Sequence, residues 1–278
     1  MTRAIGVDIS WWDGEVDFAK MLANGATFVY IKASQRIADL RFLEYWRAAK
    51  KVGLLRGAYH YLDFRMSELE QAKLFTGLLK DDPGELPPVC DFEQKLTSGQ
   101  PSPAEARGRL WNFLQYVKDK LGKIPAIYSG YYYWNEFGSV DIGWKIFPFW
   151  LAWYSWEIFI KTPRPWATWT FWQYTDRGKG EAYGCESLDV DQNLFHGTVE
   201  ELYKFASTPP AILPPSPPPV GNYTVLAASW IFKTPNDGLN CKIVSRIAIG
   251  QIVVVSDIVN DWARIPLGWV RLKYLKKE

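Results

Sequence analysis

Leu86-Pro-Pro-Val-Cys-Asp-Phe-Glu-Gln94 opens on two prolines, continues as a short apolar run and ends on two acids separated by one residue. Successive side chains of a strand point to opposite faces, so Asp91 and Glu93 share one face, and Cys90 and Phe92 the other. Two carboxylates side by side at the end of a buried strand repel each other and lose hydration. Both persist if their ionisation is split, one charged and one protonated, as acid–base catalysis requires. Spacing alone does not single the pair out. Acids two apart recur at Asp13/Glu15, Glu15/Asp17, Glu68/Glu70 and Asp189/Asp191. The flanking elements decide its meaning.

Upstream, Ile5-Gly-Val-Asp8 reads as a short buried strand ending on an acid. The spacing predicts a helix from Asp17 to Asn24, stopped by Gly25. Thr27-Phe-Val-Tyr-Ile-Lys-Ala33 is a β-rich apolar run with a lone lysine near its end. Phe42 to Val52 has helical spacing with Gly53 behind it, and Leu55-Arg-Gly-Ala-Tyr-His-Tyr61 is a third strand. Ser67 with Glu70 has the capping-box pattern for a helix to about Lys80. Val89 to Glu93 is the fourth strand. Downstream, Ser102-Pro-Ala-Glu105 is another capping box, with proline at the first helical position, opening a long helix to Leu121 that Gly122 ends. Pro125-Ala-Ile-Tyr-Ser129 is the fifth strand. Helical patterns then thin out. Phe149 to Tyr154, Trp169 to Tyr174 and Leu188 to Asp191 read as strands joined by loops, and Thr198 with Glu201 caps a closing helix to about Ala206.

Strands alternating with helices imply parallel pairing through helical crossovers. Here the alternation covers the first five strands, which predicts an α/β fold: a (β/α) barrel with its second half stripped of helices. In such barrels the active site lies where the strands end. Asp8 would end strand one, Asp91 and Glu93 strand four, and Asp191 strand eight. Strands one and eight are neighbours in a closed barrel, so four acids are expected to face one pocket. That convergence separates Asp91 and Glu93 from the other acid pairs.

Thr208 to Gly221 holds seven prolines in 14 residues and favours an extended, semi-rigid spacer. Boundaries follow: 1–207 for the barrel, 208–221 for a linker, and 222–278 for a small all-β domain. In the last, strands are expected at Tyr223–Ala227, Cys241–Ser245, Gln251–Val255, Trp262–Ile265 and Gly268–Leu272, split by Gly, Asn and Asp turns. Their spacing suggests a second, small barrel.

The chain's 278 residues, 48% hydrophobic and 22% charged, suit one large and one small soluble domain. A net charge of +2 argues against charge-driven nucleic-acid binding. Cys90, Cys185 and Cys241 are far apart and form no CxxC pair, so neither a disulfide framework nor a zinc site is expected. Only His60 and His196 are present, which leaves little for metal hydrolysis. The 15 Trp, 15 Tyr and 15 Phe point to a binding cleft as well as a core. The N-terminus enters a strand without a signal-length apolar stretch, so synthesis without a standard export signal is expected, or a signal removed.

Glycoside hydrolysis needs one carboxyl group to protonate the leaving oxygen and a second to stabilise or attack the developing positive charge. The acid cluster fits that demand. Gly6-Val-Asp-Ile-Ser10, Tyr30-Ile-Lys-Ala-Ser34, Gly57-Ala-Tyr-His-Tyr61, Val89-Cys-Asp-Phe-Glu93, Trp150-Leu-Ala-Trp-Tyr154, Trp172-Gln-Tyr-Thr175 and Val190-Asp-Gln-Asn-Leu-Phe-His-Gly197 occur in order. Together, over about residues 4–205, they resemble the glycoside hydrolase family 25 lysozymes, the Chalaropsis type common in phage endolysins. The resemblance implies an irregular TIM-like (β/α)5(β)3 barrel and cleavage of the β-1,4 bond after N-acetylmuramic acid in peptidoglycan; no cofactor or metal is expected. It implies Glu93 as proton donor, and Asp91 as the charged group that orients the substrate's acetamido group or serves as base. Asp8 and Asp191 fall on further cleft acids of the family. Residues 222–278 resemble bacterial SH3-like wall-binding domains at Gly268-Trp-Val and Tyr274-Leu, with Ser229-Trp-Ile-Phe-Lys233 in place of the usual Leu-Asn-Val-Arg start.

Expected substrate-binding residues are Lys32, Tyr59, Tyr61, Tyr128, Trp153 and Tyr174. Expected partners are peptidoglycan glycan strands for the barrel and a wall peptide or polymer for the C-terminal domain. A monomer acting on the bacterial wall after synthesis in a host cytoplasm, with no membrane partner, completes the expectation. Three other readings stand beside it: a wall-binding protein without turnover, another glycosidase such as a chitinase, and a cysteine peptidase using Cys90 and His60. The chitinase reading lacks the longer DxxDxDxE run. The peptidase reading conflicts with strand alternation, which aims Cys90 away from the acids.

Overall fold

Alternation with a period of two fills the inside of a closed eight-stranded barrel. The computed structural model describes residues 3–154, 160–207, 221–233, 243–259 and 262–278. Strands β1 (Arg3–Ile9), β2 (Ala26–Gln35), β3 (Leu55–Tyr61), β4 (Val89–Asp91), β5 (Ala126–Gly130), β6 (Phe149–Ala152), β7 (Phe171–Lys179) and β8 (Asp189–Thr198) follow one another around it in chain order. Neighbours from β1 to β7 are parallel. Helices α1 (Phe18–Ala23), α2 (Phe42–Val52), α3 (Glu68–Leu79), α4 (Pro103–Leu121) and α5 (Tyr131–Phe137) follow β1 to β5 in turn, and α6 (Val199–Ser207) follows β8.

Ala4 of β1, Phe28 and Tyr30 of β2, Leu55 of β3, Val89 of β4, Ala126 and Tyr128 of β5, Trp150 of β6, Phe171 of β7 and Phe195 of β8 share one core. Tyr30 packs on Trp150 at 4.5 Å between ring centroids and meets Phe171 edge-on at 5.3 Å. Rings this large need small partners. Gly6 is paired with Phe28 and Gly57 with Tyr30, and a Cβ on either glycine would collide with the facing ring. Leu202 of α6, with Val199 and Phe205, closes the end where the parallel strands begin.

Most caps form as the sequence predicts. Ser102 and Glu105 make a reciprocal box, Pro103 opens α4 and Gly122 ends it in the left-handed conformation. Asp17 caps α1, Gly53 ends α2, and Thr198 and Glu201 exchange hydrogen bonds at α6. The box expected at Ser67 does not form; its side chain makes no cap bond. Gln71 instead turns its amide back onto the carbonyls of Asp63 and Met66, and Glu68 pairs with Arg109 of α4.

Other expectations are corrected. α5 lies where helical patterns were expected to thin. β4 ends at Asp91, so Glu93 lies beyond the strand. β8 is longer than expected and antiparallel to both neighbours, with Asp191 near its start rather than its end. Reversal rescues the expected convergence: the start of β8 lies at the rim where β1 ends, and Asp8 and Asp191 are register partners.

A second compact unit is built mainly of strands. It contains β9 (Gly221–Val225), β10 (Ser229–Phe232), β11 (Ile243–Ile247), β12 (Ile252–Val255), β13 (Asp257–Val259), β14 (Trp262–Ile265), β15 (Gly268–Arg271) and β16 (Leu275–Lys277). They form one sheet in the order β11-β10-β15-β14-β13 and another in the order β12-β9-β16. Tyr223, Val225, Ile231, Val255, Ala263 and Val270 pack between them in a single core. β10, β13 and β16 add to the strands expected from sequence. Cys241, Lys242 and residues 208–220 of the expected linker lie outside the described residues.

Candidate active site

The alternation that fills the barrel continues to its rim. On β1 the residues Ala4, Gly6 and Asp8 share a face; on β2 Phe28, Tyr30 and Lys32; on β3 Leu55, Gly57, Tyr59 and Tyr61; on β7 Phe171 and Gln173. On the reversed β8, Asp191 and Asn193 precede Phe195. The upper members of these rows line an open cleft of about 240 Å³ with Asp91, Glu93, Tyr128 and Trp150, and with Ser10 and Trp12 from the turn after β1. All four acids named from sequence are therefore brought together.

Gln173 organises one wall. Its Nε2 donates to both oxygens of Asp8, at 3.0 and 3.2 Å, and to Asp191 at 3.0 Å. Its Oε1 accepts from the hydroxyls of Tyr128, at 2.8 Å, and Tyr154, at 2.6 Å. Asn193 adds a 2.7 Å bond to Asp8 and accepts from the Trp150 indole. Burial raises Asp8 to about 6, against the lowering effect of its amide donors. Asp191 rises further, to about 9, through burial first and then the charge of Asp8. Both carboxyls of the pair are thus held above the usual carboxylate range, by burial and by each other's charge.

The other wall carries Asp91 and Glu93. Asp91 is buried, and among the described residues its Oδ1 has no hydrogen-bond partner. Burial, then the charge of Glu93, pushes its carboxyl well above the usual range, opposed by Lys32. Glu93 is open to the cleft yet enclosed by its walls, and burial with the charge of Asp8 raises it too. The sequence expectation had Glu93 protonated and Asp91 charged. Desolvation acts more strongly on Asp91, because it is buried where Glu93 is exposed. Lys32 binds Gln35 at 3.1 Å and lies 5.3 Å from the centre of the Tyr61 ring.

Tyr59, Tyr61 and Tyr128 line the cleft as expected, and Trp153 and Tyr174 do not. Both have the wrong parity. Trp153 follows Ala152 and packs against the rings of Tyr131 and Tyr132. Tyr174 alternates with inward Gln173, so it faces out, against Trp172 and Gln192. The sequence reading missed Gln173, Asn193, Trp150, Ser10 and Trp12. For Gln173 and Asn193 the signal was present: each lies one or two residues from a residue already chosen, and parity places it inside.

His60 and Cys90 are register partners on the outer face, both fully buried. Burial raises the Cys90 thiol and lowers His60 to about 4. His60 Nδ1 lies 2.8 Å from Ser34 Oγ and its Nε2 lies 2.9 Å from Gln71 Oε1. With its thiolate suppressed and no access, Cys90 is a packing residue.

A barrel whose rim gathers carboxylates around a sugar-sized cleft has the form of a glycoside hydrolase. Residues 7–182 match the model of glycosyl hydrolases family 25, and the chain belongs to that family. The uncharacterized protein YegX of Escherichia coli K12 is 36% identical over 209 residues, 72% of each chain. Lysozyme M1 of Streptomyces globisporus is 33% identical over 218 residues, 73% of this chain and 71% of its own. The crystal structure of the bacterial lysozyme from Streptomyces coelicolor is similar with a TM-score of 0.66 at 28% identity, covering 74% of this chain and 98% of that one.

Proposed function

We propose that this glycoside hydrolase is an N-acetylmuramidase that lyses bacterial walls by cutting the β-1,4 bond between N-acetylmuramic acid and N-acetylglucosamine. The observation that carries the reading is the meeting of Asp8, Asp91, Glu93 and Asp191 in one cleft, with a buried oxygen of Asp91 that has no partner among the described residues. Glu93, open to the cleft, donates the proton to the leaving oxygen. Asp91 Oδ1 accepts the N–H of the acetamido group. A hydrogen bond to the charged form lowers a carboxyl pKa. Substrate binding therefore draws Asp91 toward its ionised form and leaves the proton on Glu93, the division that hydrolysis needs. The Asp8–Asp191 pair, oriented by Gln173, stabilises positive charge on the opposite side of the sugar. Lys32, Tyr59, Tyr61 and Tyr128 hold the glycan strand.

The C-terminal unit is read as a wall-targeting module, on the resemblance at Gly268-Trp-Val and Tyr274-Leu together with its own apolar core. The test is incubation with purified Gram-positive walls and mass spectrometry of the products. New reducing ends on N-acetylmuramic acid, absent with Glu93→Gln, are expected. New amino termini without reducing ends would point to an amidase or peptidase and sink the reading. Wall binding without any product would favour a protein that has lost turnover.

A further inference from the structure

We propose that Trp12, backed by Trp11, is a stacking platform for a sugar of the glycan strand outside the pair whose bond is cut. The chemistry of this ligand rests on the muramidase reading. A turn of 3-10 helix over Trp11–Asp13 follows β1 and carries both rings. Trp12 lines the cleft of the four acids and is 72% exposed. An indole left in water forgoes the stabilisation that burial brings.

The ring is nevertheless held in place. It lies on Trp11 with centroids 3.8 Å apart and planes 30° from parallel. Ser10 and Asp13 close a reciprocal capping box around the turn. Asp13 accepts a 2.9 Å bond from the Ser187 hydroxyl, and the Trp11 N–H donates to Asp39 at 3.2 Å. A group fixed before its ligand arrives loses little freedom on binding.

The surroundings select the ligand. The C–H face of a pyranose is apolar and matches an indole face. Ser10 and Lys32 on the same wall offer partners to sugar hydroxyl and carbonyl groups. A purely apolar ligand would strip water from the neighbouring acids without replacing its hydrogen bonds, which is costly. Trp12 enters from β1 and the Asp91–Glu93 pair from β4, with β2 and β3 between them in the barrel. Asp8 also enters from β1 but is buried within the strand, whereas Trp12 stands three residues beyond the strand's end and is exposed, so the platform lies outward of the acids and meets a different sugar of the chain.

The test compares uncut peptidoglycan glycans, a disaccharide and a hexasaccharide, by calorimetry on full-length Glu93→Gln. Adding Trp12→Ala is expected to weaken hexasaccharide binding about tenfold, equivalent to about 1.4 kcal/mol, and disaccharide binding far less. Trp12→Phe should recover most of the loss, and melting curves verify that each variant is folded. Leu40→Ala, an exposed apolar residue outside the cleft lining, should keep the parent's ratio of affinities. Equal weakening of both glycans, no weakening of either, or no recovery with phenylalanine overturns the platform. If the wild type releases no reducing ends from walls while the Trp12-dependent length preference persists, the muramidase reading falls and the platform stands.

Discussion

The Gln173 amide donates to two acids and accepts from two tyrosines, so both of its ends are used. Turned over, it would set its oxygen against carboxylate oxygens, so only one orientation satisfies the site. Gln173→Met keeps the length and removes these bonds. Leaving a buried polar group unsatisfied costs about 1–3 kcal/mol, and a fall in unfolding free energy of that size is expected in a urea titration. Gln173 also holds Asp8 down, so the same variant should move the acid limb of the pH–activity profile upward. Asp91 tests the electrostatics with a defined sign. Its folded pKa is raised, so the folded state binds more protons than the unfolded state once pH passes about 4, and its contribution to stability falls as pH rises. Asp91→Asn should therefore be more stable than wild type at neutral pH, with the gap closing toward pH 4 in paired denaturant titrations. Activity would be lost in the same variant. Glu93→Gln should lower kcat by about 10²–10⁴-fold, the usual share of a general acid, with little change in melting temperature because its side chain is open to the cleft. Asp8, Asp91 and Glu93 were legible in the sequence because alternation is local and each closes an apolar run. Trp153 and Tyr174 are aromatic, as a sugar groove requires, but lie outside the cleft lining because parity and not residue type decides which face enters it.

Among the elements, helix ends show how far a local pattern can be taken. Ser102 and Ser67 both begin a capping-box pattern, and only Ser102 makes the bonds. Ser102→Ala should cost about 1 kcal/mol, read as a shift in the urea midpoint, whereas Ser67→Ala should shift it far less. The difference is tertiary: Arg109 of α4 and the fold-back of Gln71 occupy the start of α3. Strand pairing adds a similar lesson at Gly57, whose backbone makes room for the Tyr30 ring. Gly57→Ala should destabilise by about 1–3 kcal/mol, the usual effect of overpacking, measurable in the same titration. The reversal of β8 was not legible in residues 188–191. Strand direction depends on which neighbours a strand meets, and the pattern of apolar residues along it is the same either way.

For the whole molecule, the barrel and the C-terminal unit each possess their own core. Residues 1–207 alone should retain turnover of soluble peptidoglycan fragments and bind whole walls less well. Co-sedimentation with walls, run beside a reducing-end assay, measures both; unchanged wall affinity would remove the targeting role from the C-terminal unit. From its sequence the chain determined a strand–helix alternation ending in loop-joined strands, most of the caps, the four acids and a separate β-rich end, because these depend on neighbours a few residues apart. Only the tertiary structure decided that β8 runs backwards, that Asp191 consequently stands beside Asp8, and that Gln173 ties the pair to Tyr128 and Tyr154. It also decided how deeply each carboxyl is buried. Desolvation depends on how many groups from distant parts of the chain close over a side chain, and closing the barrel sets that number for Asp91 and Glu93 differently, although they are two residues apart.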